Sequence, residues 1–150
     1  MLGLTYNWNA LNNRVNTLYP AGMTNQAVGL VWGFQLLTAA PPPYTVPAKD
    51  PNYKYTDVII LMSDGLNTKD RWYGSAWQID ARQKITCDKV KAAGITLYTI
   101  QVNTDGDPMS TLLKNCASSS DKFFLLTSAN QMITTFKTIG TSLTQLRVAK

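Results

Sequence analysis

A chain of 150 residues can bury one core of its own, and 45% hydrophobic against 15% charged residues is the balance of a folded protein rather than a disordered one. The net charge of +5 is scattered over Lys49, Lys54, Lys69, Arg71, Arg82, Lys84, Lys89, Lys91, Lys137, Arg147 and Lys150 without a basic run, which argues against a nucleic-acid partner. The absence of histidine removes histidine-dependent triads and most zinc sites, and no apolar stretch reaches the length of a membrane span.

Taken in chain order, residues 1–7 (MLGLTYN) are expected to form a short strand, with none of the features of a signal peptide. Asn7 can accept from free helix amides, and Trp8, Leu11, Val15 and Leu18 recur at helical spacing, so residues 8–19 are predicted to form an amphipathic helix that Pro20-Ala21-Gly22 ends. A second helix is predicted over 25–38. Its apolar residues Val28, Leu30, Val31, Trp32, Phe34, Leu36 and Leu37 point nearly all round, which predicts burial on more than one side. Gly29 and Gly33, one turn apart, would admit a close neighbour, and Trp8 and Trp32 are assigned to the core. Residues 39–54 (AAPPPYTVPAKDPNYK) read as a proline-rich surface loop inside a single domain spanning 1–150.

The run DVIILM (57–62) does not alternate, as expected of a strand covered on both faces. A helix over 78–93 follows, with Gln83, Thr86, Cys87, Val90 and Gly94 on one face and Gly94 as its stop. ITLYTIQV (95–102) is the next buried strand, then the turn NTDGDP, a short helix over 109–116, and a third strand FFLL (123–126). Ser128 with Gln131 forms a capping box, and Met132, Phe136, Ile139, Leu143 and Leu146 mark the buried stripe of a last helix. Alternation of apolar strands with helices predicts an α/β fold, an open doubly wound, mostly parallel sheet flanked by helices.

In such sheets ligands sit beyond the strand C-termini. The loops reaching that edge are Ser63-Asp64-Gly65-Leu66-Asn67, Asn103-Thr104-Asp105-Gly106-Asp107 and Thr127-Ser128, with Gly22-Met23-Thr24-Asn25 able to join them. Their hard oxygens suit Mg²⁺, Ca²⁺ or Mn²⁺, but Asp, Asn, Ser and Gly are also ordinary turn residues. At Asp105 and Asp107 the turn reading prevails; at Asp64, directly after the strand, both stay open. No dinucleotide or P-loop glycine motif is present. Trp72 and Trp77, in the polar stretch RWYGSAW, are candidates for a surface contact patch. Cys87 and Cys116 could be a disulfide or two free thiols.

Four blocks, GMTNQAVGLVWGFQLL, VIILMSDGLNT, CDKVKAAGITLYTIQVN and LLKNCASSSDKFFLLTSANQMITTFKTIG, together resemble the C-terminal part of a von Willebrand factor A-like domain. More specifically they resemble TadG-type proteins of bacterial tight-adherence (Flp) pilus assembly, over most of residues 4–148. The resemblance implies a metal-ion-dependent adhesion site to which Thr24 and Asp64 would contribute, with Ser63, Gly65, Asn67 and Asn25 in the adjoining loops. The family's DxSxS motif, carried on the central strand of its sheet, is not in this chain. The implied Mg²⁺, Mn²⁺ or Ca²⁺ is therefore expected only if that motif is supplied from upstream, where the family also carries its membrane anchor.

Read this way, the chain is a partial A-like domain lacking its central strand, and the isolated chain is expected either to rearrange, to self-associate through exposed strand edges, or to be marginally stable. The resemblance implies a non-catalytic module that binds protein partners, pilus-assembly or envelope components, on the periplasmic or extracytoplasmic side of the cell envelope. That oxidising setting favours a Cys87–Cys116 disulfide. A metal-independent structural scaffold is the alternative, and a metal-assisted phosphotransfer enzyme using Asp64 a more distant one.

Overall fold

The computed structural model describes residues 2–19, 21–38 and 48–145. The elements in chain order are α1 (Trp8–Asn16), α2 (Gln26–Leu37), β1 (Val58–Ser63), α3 (Ala76–Ala92), β2 (Thr96–Val102), α4 (Thr111–Cys116), a single 3-10 turn (Ser120–Lys122), β3 (Phe123–Leu126) and α5 (Asn130–Gln145). Residues 39–47 of the proline-rich loop, and Leu146 of the last helical stripe, lie outside the described residues.

The three strands form one parallel sheet in the order β1-β2-β3. Val58 stands opposite Thr96 and Ser63 opposite Gln101; Thr99 stands opposite Phe123 and Val102 opposite Leu126. Helices cover both faces, as a doubly wound α/β arrangement requires. On one face Ile59, Leu61 and Leu97 pack with Leu30 of α2, Cys87 and Val90 of α3, and Leu113 and Cys116 of α4. On the other, Tyr98, Ile100 and Leu126 pack with Ile139 of α5, with Met132 and Leu143 at the margin. Both crossover helices, α3 and α4, thus lie on the same face. That brings Cys87 and Cys116 together as a disulfide, with Cα atoms 5.2 Å apart.

The helix ends follow local chemistry. Asn7 Oδ1 accepts the Ala10 amide at 3.0 Å, Asn25 Oδ1 the Val28 amide at 3.4 Å and Ser110 Oγ the Leu113 amide at 3.1 Å. At the end of α3, Gly94 takes φ +74°, and the amides of Gly94 and Ile95 donate to the carbonyls of Lys91 and Val90. This double closure needs a left-handed residue and so selects glycine. At the start of α5, Gln131 Oε1 accepts the Ser128 amide at 3.2 Å and the Thr127 amide at 2.7 Å.

Four expectations are corrected. Residues 2–7 form no strand; Tyr6 is 95% exposed, and the Asn7 amide donates to Thr5 Oγ1 in a local turn. A strand exists only where a neighbouring edge pairs with it. Second, α1 buries no residue, and Trp8 is 72% exposed rather than in the core, because no described element lies over its apolar stripe. Third, β1 is fully covered on one face only; on the other, Val58 packs against the Tyr98–Ile100 cluster but the strand beyond it is open. Ile59 and Leu61 are each 8% exposed, whereas Ile60 is 37% and Met62 48%. Here β1 is an edge strand, while α5 packs on the β2 and β3 part of the opposite face. Fourth, α2 is buried on one side, through Gln26, Ala27 and Leu30, and Val28 is 52% exposed. A methyl group added at Gly33 would meet Ile59 at 3.7 Å, an ordinary contact, and one at Gly29 would meet nothing within 4 Å. Neither glycine is demanded by a tight approach. Among the described residues no helix is long and apolar enough to cross a membrane.

Candidate functional site

The loop after β1 begins with Ser63, whose hydroxyl donates to the Gly65 carbonyl at 2.9 Å and closes a tight turn around Asp64. The Asp64 side chain is thereby turned outward and exposed at the C-terminal end of the strand. The loop before α2 is stitched to the same edge. The Thr24 amide donates to Thr68 Oγ1 at 3.0 Å, and the Thr68 amide donates to the Thr24 carbonyl at 3.0 Å. Asn25 Nδ2 donates to Asp70 Oδ2 at 2.9 Å. The structure thus brings together the two segments that carry Thr24, Asn25, Ser63, Asp64, Gly65 and Asn67.

Beneath this rim lies a closed set of three amide side chains. The Gln26 backbone N–H donates to Asn67 Oδ1 at 2.8 Å. Asn67 Nδ2 donates to Gln83 Oε1 and to Asp80 Oδ1, both at 2.8 Å. Gln83 Nε2 donates to Gln26 Oε1 at 3.1 Å, and Gln26 Nε2 donates to the Gly65 carbonyl at 2.8 Å. Gln83 is fully buried, and Asn67 and Gln26 nearly so. Burying such groups is tolerable only when each is paired, and here the pairing ties α2, the loop after β1 and α3 into one unit. Gln26, Asp80 and Gln83 escape a reading of the sequence as site residues. The available signal was Gln83 itself, a polar side chain on the same face of α3 as Cys87 and Val90.

The loop after β2 is held in a parallel way. Gln101, fully buried, accepts the Ser110 amide at 2.7 Å and donates to the Pro108 carbonyl at 3.0 Å. Asn103 donates from its backbone to the Leu126 carbonyl and from Nδ2 to the Asp107 carbonyl at 2.7 Å. Asp107 approaches the Asp64 loop: a Cβ placed on Gly65 would sit 3.8 Å from its Oδ2.

These donors do not compose a divalent-cation site by themselves. Among the described residues no group of three or more acidic, cysteine or histidine side chains could hold a metal ion. Asn67 spends its carbonyl oxygen on the Gln26 amide, and Asp70 and Asp80 accept from Asn25 and Asn67. Asp64 and Thr24 stand as positions on a rim rather than as a formed cage.

No family model and no curated protein matches the sequence. Among solved structures, proximal thread matrix protein 1 from the mussel byssus superposes with a TM-score of 0.58 at 19% identity, covering 87% of this chain and 28% of its own. A second crystal form of the same protein gives 0.57 at 19% identity, covering 87% and 27%. The chain therefore spans less than a third of that neighbour's length, and the likeness is one of fold: helices around a parallel sheet.

Proposed function

We propose that the chain is a non-catalytic protein-binding and assembly module, a von Willebrand A-like domain of a TadG-type pilus-assembly protein on the extracytoplasmic side of the cell envelope. The observation that carries this reading is the C-terminal rim of the sheet. There the Thr24–Asn25 and Ser63–Asp70 segments are bonded to each other and present an exposed Asp64 on a rigid support. A pre-formed rim of this kind binds without much ordering cost. The fold-level likeness to a mussel thread matrix protein that contains an A-like domain is in keeping with it. The buried Cys87–Cys116 disulfide suits an oxidising compartment.

In this reading Thr24 and Asp64 are two members of an adhesion site whose remaining ligands come from elsewhere. The amide set around Asn67 favours a second reading, a metal-independent scaffold, because it satisfies the rim without a cation. A photoreactive benzoylphenylalanine at position 64, in cells that express the protein, tests the shared claim. Discrete protein adducts at that position are expected. Their absence, together with phosphate-ester turnover that Asp64→Ala abolishes, would overturn the module in favour of an enzyme. Calorimetric titration with Mg²⁺, Mn²⁺ and Ca²⁺, with a DxSxS-bearing segment supplied, separates the two readings.

A further inference from the structure

The segment from Lys69 to Trp77 leads out of the loop after β1 into α3 and carries two of the four tryptophans. Trp72 is 76% exposed and Trp77 69%. Side chains of this size are highly buried on average, so two in one short segment call for a reason. The turn that presents them is held from beneath. Asp70 Oδ1 accepts the Trp72 amide at 2.8 Å and the Tyr73 amide at 2.7 Å, Oδ2 accepts Asn25 Nδ2 at 2.9 Å, and the Asp70 amide donates to the Tyr73 carbonyl at 2.9 Å. Two guanidinium groups lie on the rings: Arg71 is 5.1 Å from the Trp72 centroid, and Arg82 reaches back from α3 to 4.8 Å from Tyr73. Stacking fixes each guanidinium plane while leaving its edge free to donate.

The charge at this surface is one-sided in its availability. The two carboxylates in the segment's neighbourhood face inward, Asp70 onto the turn amides and Asp80 onto Asn67. Lys69, Arg71 and Arg82 are exposed, and among the described residues none of them belongs to an ion pair. Trp, Tyr and Arg are also the residue types that dominate binding hot spots. The geometry points to this surface, formed by Arg71, Trp72, Tyr73 and Arg82, as the docking site for an acidic, extended segment of a partner protein. Carboxylates of that segment pair with the two guanidinium forks, and its apolar side chains lie on the exposed Trp72 indole. The inference rests on the protein-binding reading above and assigns it a surface distinct from Asp64.

The test titrates the full chain against a labelled glutamate–tyrosine copolymer, followed by fluorescence anisotropy, with polyglutamate and cellohexaose as competitors. The expected result is saturable binding that weakens with salt and is displaced poorly by polyglutamate, which lacks the aromatic component. Trp72→Ala and the pair Arg71→Gln/Arg82→Gln should each weaken it about tenfold or more, with circular dichroism unchanged, while Lys114→Gln on α4 leaves it intact. Absence of saturable binding, an equal loss in Lys114→Gln, or displacement by cellohexaose overturns the assignment. If the copolymer fails while position 64 still forms protein adducts, this surface falls and the binding module stands. If both fail, the module falls with it.

Discussion

Replacing Gln83 with methionine, a side chain of similar length without polar hydrogens, isolates the amide set under the rim. Gln83 is fully buried, accepts from Asn67 at 2.8 Å and donates to Gln26 at 3.1 Å. The substitution leaves Gln26 Oε1 without that donor inside the protein, whereas Asn67 Nδ2 keeps its second bond to Asp80. An unpaired buried acceptor costs about 1–3 kcal/mol, and losing one of two bonds at Asn67 adds about 0.5–1.5 kcal/mol. The methionine methylene and thioether recover part of this through apolar burial. A net loss of about 2–3 kcal/mol is expected, which for a domain of this size lowers the melting temperature by roughly 4–12 °C. Urea unfolding followed by circular dichroism measures it, with the midpoint falling at constant slope. The double variant Gln26→Met/Gln83→Met should be less destabilised than the sum of its singles, because the shared bond is lost only once. A Gln83→Met protein within about 0.5 kcal/mol of the parent would refute the reasoning, since a surface-like substitution costs no more than that.

Reduction of the Cys87–Cys116 bond, which closes 29 residues of sequence separation, should cost about 3–4 kcal/mol by loop-closure entropy; intact mass after alkylation with and without reductant identifies the bond, and alkylation before reduction would contradict it. Asp121 is held at about 2 against an ordinary 3.8, first by the Ser119 hydroxyl and then by Lys122. Its folded value is depressed, so its contribution is present above the unfolded value and is lost as pH falls through about 2. Carboxyl NMR titration should show this, with Ser119→Ala raising the midpoint, and a parent midpoint at 3.8 would count against the contact. The open side of β1 should make the protein associate with rising concentration, and Met62→Lys should suppress that, as charges on edge strands do. Light scattering that finds a concentration-independent monomer in the parent, with a cooperative, high melting transition, would refute this.

What the sequence made legible was what is written locally. The β-branched run at 58–62, the strand at 96–102 and FFLL at 123–126 each appear in the parallel sheet, and Gly94 ends α3 in a left-handed conformation that glycine accepts far more readily than other residues. Position within the sheet was not legible. An apolar run such as VIILM has the same composition in a central strand and in an edge strand, so the exposure of Ile60 and Met62 depends on what lies beside it. The Trp8–Leu11–Val15 stripe likewise shows what a helix could bury, not whether another element arrives to bury it. At the rim, Ser63, Asp64 and Asn67 were visible because a strand ends there. The hydrogen bonds of Gln83 and Gln26 were not, because they span 16, 39, 41 and 57 residues of sequence and exist only after α2 and α3 have packed.

The placement of the disulfide has a mechanical meaning for a chain under tension. Cys87 and Cys116 flank β2 entirely, so the central strand, the end of α3 and all of α4 fall inside one covalent loop. A force applied to the two ends of the protein runs across the sulfur–sulfur bond and bypasses the strand on which the sheet is built. The stretch of 29 residues, which would otherwise add about 100 Å of extended chain at ~3.4 Å per residue, yields no length while the bond is intact. Such a protein can lose α1, α2 and α5 to a pull while β2, α4 and the end of α3 stay within one covalent loop. The bond thus sets an upper limit on how far the protein can be drawn out, and reduction removes that limit.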